Sequence, residues 1–111
     1  MSPTQRTLKY YRDLGYICWI VEKFNVYIKR RQDLFGFIDI VCIKEDEKGV
    51  LGIQSTSGDN ISARIKKSIA VPALKVWLMA GNRFVVQGFR KNIKGRYVER
   101  QVEITLKDLV Q

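Results

Sequence analysis

Histidine is absent from this sequence, and its absence restricts the available chemistry. Without imidazole the chain has no histidine general base, no Ser-His-Asp triad and none of the common zinc sites. No apolar run approaches the ~18 residues that a membrane-spanning helix requires. The polar, charged start of the chain also differs from a secretory signal. We therefore expect a cytoplasmic protein that does not enter a membrane.

Cysteine and proline are scarce, with two residues of each. Cys18 and Cys42 lie in apolar, strand-like runs, which favours buried, reduced thiols over a disulfide or a metal pair. The 111 residues, 46% of them apolar, predict a single domain spanning 1–111 with one packed core.

Positive charge is abundant and unevenly distributed. Residues 1–60 carry nine Lys/Arg and eight Asp/Glu, whereas residues 61–111 carry eleven and three, for a net charge of +9. A nearly neutral half beside a basic half fits a polyanion held near carboxylates, with a cation between them. A basic surface that serves only solubility is the alternative.

The apolar pattern predicts the order α, β, β-hairpin, α, β, β, in a mixed α/β fold that is not doubly wound. Pro72 is expected to bend or divide the second helical segment. The predicted elements are a helix at 4–14, a buried strand at 16–21, a short strand near 26–28, a strand pair at 37–43 and 50–56, a helical segment from 60 or 62 to 80, and strands at 83–89 and 97–105.

Asp39 stands out because it lies within the apolar strand FIDIVCI. An unpaired carboxylate in such a segment is costly, so this acid needs a partner or a function. Side chains alternate along a strand, and antiparallel pairing with VLGIQST brings Asp39 towards Gln54 and Thr56, which share a face. Glu22, at the end of the first strand, supplies a second carboxylate near this point.

These residues resemble the pattern of the restriction-endonuclease-like, or PD-(D/E)XK, superfamily and its archaeal-type Holliday junction resolvases. In that superfamily an early acid precedes a (P)D-I-(V/I) strand and a (D/E)-x-K strand. The counterparts here are Glu22, IDIV at 38–41 and QST at 54–56. Over nearly the whole chain, the segments RRQDLFGFIDIV, GIQSTSGDNISARIKK and WLMAGNRFVVQGFRK also look like a group of small, mostly phage-encoded proteins of unassigned role.

The resemblance implies an α/β fold with a restriction-endonuclease-like mixed central sheet flanked by helices, in the order α-β-β-β-α-β-β. It also implies DNA as the partner, hydrolysis of phosphodiester bonds, branched DNA among the substrates, and a homodimer. The implied cofactor is Mg²⁺, or Mn²⁺, with Asp39, Glu22 and Gln54 as its ligands.

The chain departs from the pattern at two positions. Gln54 replaces the usual acid, and it offers a cation its carbonyl oxygen without a negative charge. Thr56 replaces the usual lysine and cannot act as an ammonium. The following helix can supply the positive charge instead, through Lys66 or, alternatively, Lys67 or Arg64. The predicted catalytic set is Glu22, Asp39, Gln54, Thr56 and Lys66.

Basic side chains form clusters that we expect to contact DNA phosphates. The alternative for each cluster is a solvated surface. The predicted nucleic-acid-binding residues are Arg30, Arg31, Arg64, Lys66, Lys67, Arg90, Lys91, Lys94 and Arg96.

The acids and aromatic residues have structural alternatives too. Asp39 could form a buried ion pair with Arg30 or Arg31. Asp33 is either a third metal ligand or an acid that bonds to the backbone of its own turn. Trp19 and Trp77 fit a core better than a platform for stacked bases.

Three functions are therefore open at this stage. The first is a metal-dependent nuclease acting on DNA. The second is a DNA-binding module that keeps a nuclease-like scaffold without chemistry, as Gln54 and Thr56 suggest. The third is a subunit whose basic face meets an acidic protein.

Overall fold

The computed structural model describes residues 1–110, which form a mixed α/β fold with a five-stranded sheet flanked by helices. The helices are α1 (Pro3–Asp13), α2 (Ile61–Ile69) and α3 (Pro72–Met79). The strands are β1 (Ile17–Ile20), β2 (Lys23–Asn25), β3 (Arg30–Gln32), β4 (Ile40–Ile43), β5 (Leu51–Ser57), β6 (Arg83–Lys91) and β7 (Tyr97–Ile104). Short 3-10 turns follow β5 and β7, at Gly58–Asn60 and Leu106–Leu109.

The sheet has the strand order β1-β4-β5-β6-β7, and only its β5–β6 pair is parallel. A parallel pair needs a long crossover, which α2 and α3 supply. The carboxyl ends of β5 and β6 therefore lie at the same end of the sheet, where Ser57 is opposite Phe89. Strands β2 and β3 form a separate two-stranded hairpin.

Side-chain alternation divides the core between the two faces of the sheet. Val85 and Val86 are neighbours in β6, yet they belong to different buried clusters. The cluster under α1 contains Leu8, Tyr11, Cys18, Ile40, Cys42, Leu51, Ile53 and Val85. The cluster under α2 and α3 contains Phe37, Ile38, Ile61, Leu74, Phe84, Val86 and Ile104.

Several predicted elements are confirmed. The first helix, predicted at 4–14, spans Pro3–Asp13, and the Ser2 hydroxyl accepts a hydrogen bond from the backbone N–H of Gln5 at 3.2 Å. The second helical segment divides as predicted, because Pro72 occupies the first turn of α3, where a missing N–H is tolerated. The two cysteines are buried free thiols. No helix within residues 1–110 is long and apolar enough to cross a membrane.

Two expectations about the early strands are wrong. The short strand near 26–28 is a turn instead, because Lys23–Asn25 pairs with Arg30–Gln32 on either side of it. Strand β1 was expected to be buried, but it lies at the sheet edge and leaves Trp19 73% exposed. Trp19 is therefore not a core residue, whereas Trp77 packs against the α2–α3 cluster as expected.

Candidate active site at the end of the sheet

Asp39 lies directly before β4, where its backbone is held from both sides. Its N–H donates to the carbonyl oxygen of Ile53 at 3.0 Å. Its own carbonyl oxygen accepts from the N–H of Val21 at 3.0 Å and of Glu22 at 3.3 Å. The position of the carboxyl group is thus fixed relative to both β1 and β5.

The Asp39 carboxyl group is buried and receives hydrogen bonds from β5. Gln54 Nε2 donates to Asp39 Oδ2 at 2.8 Å. The backbone N–H of Ser55 lies 3.2 Å from Oδ1 and 3.0 Å from Oδ2. The predicted convergence of Asp39 and Gln54 is therefore confirmed.

An arginine partner does not explain the buried carboxylate. Asp39 forms no salt bridge with any residue of the described range 1–110. Arg31, one of the two candidates for that ion pair, instead lies 3.8 Å from Glu22, between Nη1 and Oε2. The bonds from Gln54 and Ser55 leave one side of the carboxyl group facing a cleft.

A cleft of about 370 Å³ opens at this point. Three carboxyl groups line it, from Glu22, Asp33 and Asp39, together with Gln54 and Thr56. Asp33 therefore lies with the other acids rather than away from them, and none of the side-chain hydrogen bonds within residues 1–110 involves its carboxylate. The cleft brings together four of the five predicted catalytic residues.

The grouped acids change the protonation of Asp39. Burial raises the pKa of this carboxyl group from 3.8 to about 7, and the charges of Asp33 and Glu22 contribute to the rise. The hydrogen bonds from the Ser55 N–H and the Gln54 amide act in the opposite direction. The charged forms of these three carboxyl groups repel one another, and a metal cation between them would relieve that repulsion.

A wider, basic pocket of about 710 Å³ adjoins the cleft, and Glu22, Asp33 and Arg64 line both. Arg30, Arg31 and Lys67 line the basic pocket alone. This arrangement places positive side chains beside the carboxylates, as phosphate binding requires.

Arg64 lines the cleft together with the acids, whereas Lys66 does not. Arg64 and Lys67 lie three residues apart and share one face of α2, which is the face that meets the pocket. Lys66 is exposed and lines neither cavity, because its position on the helix directs it elsewhere. We therefore take Arg64, and not Lys66, as the candidate positively charged side chain of the site.

The remaining predicted basic residues, Arg90, Lys91, Lys94 and Arg96, lie at the exposed end of the β6–β7 pair. Arg90 Nη2 lies 3.3 Å from Oδ1 of Asp59, which belongs to the 3-10 turn after β5. Arg100 was not predicted as part of this cluster, although it lines the same shallow surface as Arg90 and Lys91. Strand alternation was the signal that could have identified it, since it lies two residues from Val98, the partner of Arg90.

Sequence reasoning also missed the contribution of the backbone. The Ser55 N–H holds the carboxyl group of Asp39, and no side-chain pattern encodes that contact. The amino-terminal end of α1 contributes Pro3 and Thr4 to the cleft wall, which requires knowledge of how α1 packs.

Comparison with known proteins adds nothing to these observations: no family model, curated protein or solved structure matches the chain. Within residues 1–110, no group of three or more Cys, Asp or Glu side chains is arranged to hold a metal ion on its own.

Proposed function

We propose that this protein is a DNA-directed, divalent-metal-dependent nuclease of the PD-(D/E)XK type, with branched DNA among its substrates. The observation that carries the proposal is the convergence of Asp39 and Gln54 in a cleft that also contains Glu22 and Asp33 and adjoins a pocket lined by arginines. The proposal includes a restriction-endonuclease-like topology, with which the mixed five-stranded sheet between helices is compatible.

The oxygen ligands in the cleft are those that Mg²⁺ and Mn²⁺ prefer. Protein sites for Mg²⁺ often supply only one or two carboxylates, and water and substrate phosphate complete the coordination. Asp39 with Glu22 or Asp33 fits that description. Such a cation would supply an activated water and neutralise phosphate charge.

Gln54 fits a cation only after a change of orientation. Its Nε2 atom, a donor, faces Asp39. Rotation of the amide by about half a turn would direct Oε1 into the same space, where it would repel the carboxylate unless a cation lay between them. Gln54 therefore acts as a positioning residue for Asp39 when no cation is bound.

The other residues have roles that follow from their positions. Arg64, at the boundary of the two cavities, can bind a phosphate oxygen with two N–H groups and stabilise the charge that develops during hydrolysis. Arg30, Arg31 and Lys67 extend the positive surface away from the acids and would bind the flanking phosphates.

The test is cleavage of supercoiled plasmid, linear duplex and four-way junctions in Mg²⁺ and in Mn²⁺. We expect cleavage by the wild type and a loss of at least about 100-fold in Asp39→Ala, since the ligand is removed. Asp13→Ala, which removes an exposed acid at the other end of α1, is the matched control and should retain activity. Thermal unfolding must show that Asp39→Ala is folded, and Asp39→Asn serves as the second variant. Absence of cleavage of every DNA form by the wild type would reject the nuclease.

A second candidate is a DNA-binding module without chemistry, and the hydrogen bond from Gln54 to Asp39 favours it because it satisfies the acid without a cation. This candidate predicts DNA binding that weakens steeply with salt and does not depend on divalent metal. Binding that increases with Mg²⁺ would argue against it.

The proposal also includes a homodimer and a cytoplasmic location, where the chain would meet DNA. The exposed apolar side chains of the edge strand β1, Ile17 and Trp19, are a surface on which a second copy could pack. Light scattering at several protein concentrations tests the dimer.

A further inference from the structure

The β6–β7 pair continues past the end of the sheet at which the cleft opens. Ser57, the last residue of β5, lies opposite Phe89, and β6 runs on to Lys91 before the turn. The projecting ribbon, defined as residues 90–98, therefore extends about 10 Å beyond the last residue of β5, at ~3.3 Å per residue. It leaves the sheet on the same side as the carboxyl end of β5.

The turn of this ribbon is held in one conformation. The Asn92 side chain accepts hydrogen bonds from the backbone N–H groups of Lys94 at 2.9 Å and Arg96 at 3.0 Å. The N–H of Asn92 also donates to the carbonyl oxygen of Arg96 at 2.8 Å. Gly95 has φ +76°, a left-handed conformation that glycine adopts without strain. A preorganised turn loses little conformational entropy when it binds a partner.

Ile93 is at the tip of this turn, and its side chain is fully exposed. It contributes to no buried cluster within residues 1–110. Basic side chains surround it along the chain, at Lys91, Lys94 and Arg96. An apolar tip on a rigid, positively charged ribbon has no packing role in the domain, and the charge around it suits a polyanion.

We propose that the ribbon enters the groove of DNA bound at the cleft and that Ile93 acts as a wedge at an opened base step. Two-stranded ribbons enter the major or the minor groove of DNA. Proteins that bind the minor groove with Arg and Lys insert apolar wedges between base steps and partly unstack them. The proposal rests on DNA being the ligand of the site. It adds the residue that would produce the preference: Ile93 would favour DNA whose stacking is already interrupted at a branch or bulge.

The preference for interrupted DNA follows from the free energy of unstacking. Opening a stacked step in a linear duplex opposes binding, whereas a branch or bulge presents the opened step at little further cost. Ile93 should thus contribute to the difference between the two forms of DNA, and the basic residues around it should contribute to both forms equally.

The experiment measures binding of the full chain to a linear duplex and a four-way junction of the same sequence and length, by fluorescence anisotropy in EDTA to prevent cleavage. A second readout is the fluorescence of 2-aminopurine at the branch, which rises when the base unstacks. Ile93→Ser removes the wedge, and Ile93→Leu retains an apolar tip. Val76→Ser, on the exposed surface of α3, is the matched control.

We expect wild-type protein to prefer the junction and to raise 2-aminopurine fluorescence. Ile93→Ser should reduce the preference by roughly tenfold and abolish the rise, as the loss of one buried apolar side chain predicts. Ile93→Leu and Val76→Ser should behave as wild type. Equal preference in wild type and Ile93→Ser, with DNA still bound, would overturn the wedge alone. No binding of either DNA at low salt, both in EDTA and with Mg²⁺ added, would overturn the wedge and the proposed function together.

Discussion

The cleft and the ribbon lie at the same end of the sheet, but they differ in how their charged side chains are held. In the cleft, Asp39 is buried and its oxygens bond to Gln54 and Ser55, so a change at one residue alters its neighbours. In the ribbon, the side chains of Lys91, Lys94 and Arg96 are exposed, and none of them forms a salt bridge within residues 1–110. The two regions should therefore control different quantities: the cleft controls dependence on metal and pH, and the ribbon controls affinity and its dependence on salt.

The largest effect expected is on affinity, from the combined variant Lys91→Gln, Lys94→Gln and Arg96→Gln. Each lost phosphate contact reduces the slope of log affinity against log salt by ~0.9, so three contacts should reduce it by ~2.7 and lower affinity about 100-fold near physiological salt. Anisotropy titrations at several KCl concentrations measure both. An unchanged slope would show that the ribbon does not contact phosphates and does not control the salt dependence of binding.

The next effect is on stability, in Asp39→Asn. Folding raises the pKa of Asp39 from 3.8 to about 7, so the folded protein retains a proton that the unfolded chain has already lost in this range. Stability from this group is therefore full below about pH 4, falls as pH rises to about 7, and is constant above it. Asparagine does not titrate, so the variant should be more stable than wild type by about 1–3 kcal/mol at pH 8.

Denaturant unfolding at pH 5 and at pH 8 measures this difference. The free energy of unfolding of the variant should exceed that of the wild type by more at pH 8 than at pH 5. The same variant should leave the salt slope of DNA binding unchanged. A stability difference that is the same at both pH values would mean that Asp39 has no perturbed titration.

A smaller effect is expected from Gln54→Glu, which restores the acid of the superfamily pattern. A second full charge beside Asp39 should raise Mn²⁺ affinity about tenfold, because the attraction of a cation grows with each charge in a buried site. Calorimetric titration of Mn²⁺ measures it. Gln101→Glu on β7 adds the same charge at an exposed position outside the cleft and should have little effect. Equal gains in the two variants would indicate a general charge effect.

An effect of similar size distinguishes the two candidate positively charged side chains of α2. Arg64→Ala should lower cleavage about tenfold, since Arg64 lines both the cleft and the basic pocket. Lys66→Ala should lower it less than about twofold, as expected of an exposed lysine that contributes only general attraction. Initial rates of nicking of supercoiled DNA compare them, and the reverse order would restore Lys66 to the site.

The contact between Asp39 and Gln54 could be predicted from sequence because two independent rules agree on it. Alternation fixes the face of each side chain, and a short polar turn between 43 and 51 fixes the antiparallel register that places Ile40 opposite Ile53. The same reasoning located the division at Pro72. Local patterns of this kind determine both elements, so the structure agrees with them.

The errors arise where long-range packing decides the outcome. The run YICWIV has the composition of a buried strand, but composition does not distinguish a central strand from one at the edge, and β1 has a neighbour on one side only. Lys66 was selected because the following helix reaches back towards the end of β5, whereas the rotation of α2 about its axis directs Arg64 and Lys67 to the pocket. That rotation is set by Ile61 and the other residues of α2 that pack on the sheet.

The unequal burial of the two tryptophans has a practical consequence in optical spectroscopy. Trp77 donates its indole Nε1 hydrogen to the carbonyl oxygen of Arg83 at 2.7 Å, while the ring of Trp19 is open to water on the edge of the sheet. Emission from Trp19 should therefore be red-shifted and accessible to iodide in the native protein, and the blue-shifted component should report on Trp77. A phenylalanine at position 19 would leave a single emitter whose spectrum follows the integrity of α3.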